Sequence, residues 1–254
     1  MVNVDTVYKT CLLILNKQQR GYLNPIEFNK LGEQVQLEIF EKYFEDLNQQ
    51  LRIPGNESEY ADRVKTLEEK IDIFKSEPAA TTYDGVGGYF YGTTSIAASD
   101  YHRLGSVIYK DIKEVDPIQR KQFLLVNKSP LTKPTTTYPL YINEGEHQSA
   151  AGPPPVLHPK FFVYPTSITD SSDITFTYVK KPKSPYWAFT QDATTGAYIF
   201  APNGAARQDF ELHPSEQNEI ILRILVYAGV IIRDPQIVQA ASQKVQLDNM
   251  NEKS

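Results

Sequence analysis

The sequence predicts an α+β protein: N-terminal and C-terminal helices forming a helical bundle, with an inserted antiparallel β-rich region carrying long loops. Three observations predict it. Apolar residues recur at three- and four-residue steps from Val4 to Phe74. From about Ser76 to Phe200 that period gives way to Gly-, Tyr- and Thr-rich chain and β-type runs. Helical spacing then returns in FELHPSEQNEIILRILVYAGVIIRDPQIVQAASQKVQ, Phe210 to Gln246. Three regions follow: a helical hairpin region at 1–76, a β-rich insert at 77–208, and a helical pair at 209–254 packing with the N-terminal helices.

The first helix carries Val4, Val7, Tyr8, Cys11, Leu12 and Leu15 on one face and ends before Gly21. Asn24-Pro25-Ile26-Glu27 starts the second. Asn24 is the N-cap, Pro25 fills the first turn where a missing N–H costs nothing, and Glu27 stands three beyond the cap. Phe28, Leu31, Val35, Ile39, Tyr43, Leu47 and Leu51 form its face, broadened by Phe40 and Phe44. Pro54-Gly55-Asn56 breaks the chain. Tyr60, Val64, Leu67, Ile71 and Phe74 then recur at the a/d spacing of a helix seam, so the two helices fold back as an antiparallel hairpin.

In the middle region TTYDGVGGYFYGTTS has no helical period and reads as a flexible tyrosine-rich loop. GSVIYKDIKEV, FVYPTSI and ITFTYVKKP read as strands. In the last, Ile174, Phe176 and Tyr178 alternate with Thr175, Thr177 and Val179. GPPPVLHP, Gly152 to Pro159, must be extended and donates no ladder hydrogen bond at its prolines. At the C-terminal end Pro214 and Glu216 open a helix whose inner face is Ile220, Ile221, Ile224, Leu225 and Ala228, with Leu222 and Val226 on other sides. Gly229 is its expected stop. Asp234-Pro235 starts a last helix lined by Ile237, Val238, Ala241 and Val245.

Composition narrows the function classes. The 254 residues are 41% hydrophobic and 22% charged, the balance of a globular chain able to bury a core. A net charge of −5 gives no whole-chain attraction to nucleic acid, though it leaves room for a basic patch. Cys11 is the single cysteine, so there is no intrachain disulfide. The apolar run around Leu12–Leu15 is too short to span a membrane, and with Asp5 before it a signal peptide is not expected. The environment is cytoplasm-like.

Sites of chemistry are sparse. NKQQRGYLNPIEF places Gly21, Leu23 and Glu27 where a calcium loop would. Its three early ligand positions are Asn16, Gln18 and Arg20, without a carboxylate and with a cation where charge must be balanced. Helix punctuation accounts for the pattern. DGVGGYFYG lacks the Lys-Ser/Thr ending of a phosphate loop. His102, His147, His158 and His213 are scattered, with no zinc spacing, and read as surface or loop residues. Glu68-Glu69 reads as a solvated face, and no serine sits in Gly-x-Ser-x-Gly. Lys180, Lys181 and Lys183, beside Tyr186, Trp187 and Phe189, could face DNA, although a strand end with a packed Trp is the simpler reading. No cofactor or metal is expected.

The segments LNKQQRGYLNPIEFNKLGEQVQLEIFEKYFEDLNQQLR, FLLVNKSPLTKPTTTYPLY and FFVYPTSITDSSDITFTYVKKPKSPYWAFT, followed by the Phe210–Gln246 stretch, occur in an order that resembles structural proteins of tailed bacteriophages, in particular crAss-like and related short-tailed phages. The resemblance implies a non-enzymatic virion protein, a ring or adaptor in the portal–tail (head-to-tail connector) region, with a tail or baseplate ring and a DNA-binding module as alternatives. It implies a homo-oligomeric ring of twelve-fold portal symmetry. Its implied partners are the portal protein, adjacent ring or tail proteins and packaged double-stranded DNA, with no membrane. On that implication Phe40, Tyr43, Phe44, Tyr60, Leu67, Ile71, Phe74, Ile221, Leu222 and Val226 supply core and subunit interface, in proportions the sequence leaves open. Lys180, Lys181 and Lys183 would be the DNA-facing residues.

Overall fold

The structure, a computed structural model, describes residues 1–16, 22–52, 58–92, 100–148, 157–232 and 242–247. Its helices are α1 (Val4–Asn16), α2 (Pro25–Arg52), α3 (Ser58–Asp72), α4 (Arg120–Val126) and α5 (Gln217–Ile232). Its strands are β1 (Ala79–Asp84), β2 (Tyr89–Gly92), β3 (Tyr101–Tyr109), β4 (Lys113–Pro117), β5 (Leu140–Gln148), β6 (Leu157–Tyr164), β7 (Ile174–Lys180), β8 (Phe189–Gln191) and β9 (Tyr198–Phe200). They form two compact units, Met1–Ile73 with Pro182–Ser254, and Phe74–Lys181.

The expected fold class is overturned. The chain is not a helical bundle with a small antiparallel insert. It is a mixed α/β fold dominated by a closed seven-stranded barrel in the order β1-β2-β6-β5-β4-β3-β7. Two stretches of sequence account for the difference. TTYDGVGGYFYG is a hairpin rather than a loop: Tyr83 pairs with Phe90 and Asp84 with Tyr89. Its turn is held by the Gly88 N–H on the Asp84 carbonyl at 2.8 Å and the Val86 N–H on Asp84 Oδ1 at 3.0 Å. This hairpin supplies the two strands that closure needs, β1 against β7 and β2 against β6. The second stretch is the crossover of residues 118–139 containing α4, which lets β5 run parallel to β4 (Asp116 opposite Leu140).

The barrel is filled by its own side chains, as a barrel this narrow must be. Phe90, Val107, Val115, Phe161, Ile174 and Phe176 are its buried centre. The alternation read in ITFTYVK holds: Ile174 and Phe176 are fully buried while Thr175 and Thr177 are half-buried. Gly92 is there because Phe176 comes so close. A Cβ on Gly92 would lie 3.1 Å from the Phe176 ring. Between β3 and β4, Lys110 and Asp111 both have φ of 54°, and the Ile112 N–H donates to the Tyr109 carbonyl. This is the hairpin turn whose twist suits the strands, and it holds Ile112 out at the tip.

In the other unit the predicted helix starts are present. The Asn24 side chain caps the helix by accepting from the Ile26 N–H at 3.1 Å, and Glu27 reaches back to the Asn24 N–H at 3.2 Å. Helix α1 buries Val4, Val7, Tyr8, Cys11 and Leu15. Helix α2 buries Phe28, Val35, Ile39, Phe40 and Tyr43, and packs on α3 and α5. Gly229 does not end α5, which continues to Ile232. A mid-helix glycine costs only about 1 kcal/mol, which the apolar faces of the helix outweigh. Ile237, Val238 and Ala241, with Asp234-Pro235, lie outside the described residues. Val245 is half-buried in the helical stretch 242–247.

This core is not made by helices alone, since residues 182–212 enter it. The Trp187 ring lies 4.4 Å from Tyr8 and 5.4 Å from Phe200, and its indole N–H donates to Asp5 at 3.0 Å. The Asn29 amide holds the Trp187 backbone, accepting its N–H at 2.8 Å and donating to its carbonyl at 3.4 Å. Buried Gln36 donates to the Lys183 carbonyl at 2.7 Å and accepts the Glu211 N–H at 3.0 Å. Val2 and Phe210 exchange backbone hydrogen bonds at 3.0 Å. Residues 182–209 therefore belong with the helices and not with the barrel.

Candidate functional site

The residues expected to share core and interface now separate. Phe40, Tyr43, Ile71, Phe74 and Ile221 are buried within the chain itself, so as partner contacts they are corrected to core. Phe44, Leu67, Leu222 and Val226 are half-buried. Tyr60 is in α3, with its side chain outside the described residues. Lys180, Lys181 and Lys183 are exposed, on a backbone pinned by hydrogen bonds to the Phe74 carbonyl, the Asp100 carbonyl and the Glu211 carboxylate. Trp187 beside them is only 4% exposed and held by Asp5 and Asn29, so it offers no face to a base.

Between α2 and α5 the helical unit carries an open groove of about 510 Å³, lined by Gln34, Leu37, Glu38, Glu41, Glu45 and Arg223 among others. Its wall is an ionic ladder. Arg223 bridges Glu219 at 2.6 Å and Glu38 at 3.5 Å, Lys42 reaches Glu219 at 3.3 Å, and the Tyr227 hydroxyl donates to Glu38. Burial pushes the Glu219 carboxyl up, but Lys42 and Arg223 outweigh it and hold the group below its ordinary 4.5. A carboxyl lowered by folding adds stability above its unfolded pKa, and that stability is lost as pH falls through the folded value. The helical unit is therefore expected to weaken in acid below about pH 4.5. Glu219→Gln should flatten that acid limb in urea unfolding followed across pH 3 to 7, at roughly these limits. An unchanged acid limb would mean that the ladder contributes nothing.

The barrel unit presents a different surface. Along the 118–139 crossover Leu124, Leu125, Leu131 and Tyr138 are 57%, 62%, 96% and 75% exposed. Ile112 joins them from the β3–β4 turn, which is tied to the crossover by Lys113 Nζ donating to the Thr137 carbonyl at 3.3 Å. These side chains are outward because others anchor the segment. Phe123 stacks on Tyr164 with ring centroids 4.0 Å apart, and Pro134 and Pro139 are buried. The Thr132 hydroxyl donates to the Val126 carbonyl at 2.8 Å, and Arg120 forks onto Glu144. Leu124 and Leu125 lie on α4, and Leu131 and Tyr138 lie in the chain that follows it, so the crossover turns large apolar side chains to solvent from a braced segment. Sequence reading missed these outward side chains because a helix as short as α4 and the loop after it have no period that separates an outward leucine from a core one.

On the outer face of β2, β5 and β6 the structure brings together histidines that looked scattered. His147 and His158 are cross-strand partners, and His158 is 1% exposed rather than a surface residue. Tyr91 stacks on His147 at 3.9 Å, and Lys160 lies 4.1 Å above the Tyr89 ring. The Tyr89 hydroxyl and His147 Nδ1 share a hydrogen bond at 2.9 Å. The Tyr89 bond and the Val86 N–H hold the Asp84 carboxyl down, while burial and Asp84 push the Tyr89 hydroxyl up. Both groups are thus held away from exchanging protons near neutrality. The arrangement is a clasp across three strands.

Among the described residues no group of three or more His, Cys, Asp or Glu side chains could hold a metal, and Glu27 of the calcium-like loop serves as a cap. Gln18, Arg20 and Gly21 of that loop lie outside the described residues. Burial pushes the Cys11 thiol up to about 12, so it is a core residue with little thiolate. No described helix is long and apolar enough to cross a membrane. Compared with protein-family models and with curated proteins, the chain matches none.

Proposed function

We propose that this chain is a non-enzymatic structural subunit that works by assembling with copies of itself and with neighbouring proteins. The observation that carries the reading is the crossover, where four large apolar side chains stand exposed on a segment braced against the barrel. Leaving them in water is unfavourable, at about 25 cal/mol for each Å² of apolar surface, and covering them with a partner removes that cost. The place of assembly comes from the sequence resemblance. It is a ring or adaptor in the portal–tail region of a short-tailed bacteriophage virion, built in the host cytoplasm and meeting the portal protein and adjacent ring or tail proteins. Twelve copies match portal symmetry.

Leu124→Asp with Leu125→Asp is the test. Both positions are exposed, so circular dichroism and thermal unfolding should be unchanged within about 0.5 kcal/mol. Association, followed by analytical ultracentrifugation alone and with purified portal, should be lost. Complexes that survive the double substitution would overturn the reading of this surface.

A further inference from the structure

The two surfaces just described differ in a way that suggests how they are used. Residues 118–139 contain Arg120, Lys121, Lys128 and Lys133 and no Asp or Glu, in a chain whose net charge is −5. Arg120 is engaged with Glu144, and Lys121, Lys128 and Lys133 are exposed among the outward leucines. The α2–α5 groove has the opposite character. Glu38, Glu41, Glu45 and Asp46 line it against Lys42 and Arg223, with half-buried Leu37 among them.

We propose that the β4–β5 crossover of one copy seats in the α2–α5 groove of a second copy, leucines toward Leu37 and lysines toward Glu41 and Glu45. This rests on the assembly reading and assigns its contact. Charge complementarity selects the pairing: crossover against crossover would oppose like charges, as would groove against groove. The two patches are different surfaces on one chain, so the contact is head-to-tail, the kind that generates a closed ring when its rotation closes. The bracing by Phe123, Pro134 and Pro139 pre-orders the crossover, which lowers the cost of docking. A nucleic-acid partner would use the lysines but leave the leucines wet, so a protein groove accounts for more of the surface.

Leu131→Cys and Glu45→Cys are single exposed replacements, and buried Cys11 stays silent to a thiol reagent. With a short bis-maleimide, a covalent dimer should form when the two variants are mixed and not with either alone. Lys121→Glu/Lys128→Glu and Glu41→Lys/Glu45→Lys should each weaken association by about tenfold or more, and the four changes combined in one chain should restore it. Oligomers that persist unchanged in both reversals, with no cross-link in the mixture, overturn the inference and leave the assembly reading standing. Cross-linking of Leu131→Cys with itself overturns it in favour of a two-fold contact. Salt-sensitive binding of random duplex DNA, lost in Lys121→Glu/Lys128→Glu and without cross-linking, overturns it in favour of a nucleic-acid surface. Monomers in every sample, with purified portal added as without it, overturn both readings.

Discussion

Phe176→Ala is expected to destabilise the barrel by about 3–5 kcal/mol, a large part of the 5–15 kcal/mol that holds a domain of ordinary stability. Phe176 has no exposure and meets Phe161 edge-on at 5.7 Å, and β2 carries glycine at position 92 so that its backbone can pass the ring. Removing the ring leaves a cavity bounded by strands on both sides of the closed sheet, and closure restricts collapse into it. Ile174→Val, in the same strand and equally buried, removes one methylene and should cost about 0.5–1.5 kcal/mol. Val86→Ala, at a fully exposed turn position, should stay within about 0.5 kcal/mol. Urea unfolding read by near-ultraviolet circular dichroism gives the order. A loss below about 1 kcal/mol for Phe176→Ala would mean that the barrel centre is not packed as described.

Lys70→Ala should be nearly as costly in the helical unit, about 3–5 kcal/mol, for an electrostatic reason. Lys70 Nζ sits 2.7 Å from Glu216 Oε1, and the Glu216 side chain is only 6% exposed. Glu216 also accepts from the Ser215 hydroxyl at 3.3 Å. Take Lys70 away and a carboxylate is left buried without its cation. Replacing both partners, Lys70→Met with Glu216→Gln, removes the stranded charge and should recover most of the loss. That recovery separates a buried pair from a surface one, since an exposed pair would cost under about 1 kcal/mol whichever partner is removed. Additive losses in the double variant would contradict the account.

How legible all this was in the sequence depends on the range over which each signal acts. Helix starts are local, and Asn24, Pro25 and Glu27 do in the structure what their spacing predicts. Strand β7 was legible for the same reason, its alternation being a property of seven consecutive residues. The hairpin at Asp84–Tyr89 was missed although its cue was present: a glycine-rich turn between two aromatic runs is a hairpin signal as much as a loop signal. Barrel closure was not legible at all. It depends on β1 meeting β7 and on a parallel β4–β5 pair, contacts fixed by tertiary packing. Along α2 the predicted apolar face is buried or half-buried from Phe28 to Leu47, while Leu51 is 60% exposed, and periodicity cannot tell core from interface, so Ile71 and Ile221 looked no different from half-buried Leu67 and Leu222. The groove was hidden for a related reason. Glu38, Glu41, Glu45 and Asp46 read along the chain as a solvated helix face, and only α5 lying alongside makes that face one wall of a cleft.

The central claim is that the chain works by assembling. Its most direct measurement is the native mass of the purified protein by light scattering on a sizing column, with negative-stain images of whatever elutes. The account predicts a closed ring, forming alone or when portal complexes are added. A 28.8 kDa monomer at every concentration, unchanged by added portal, would contradict it.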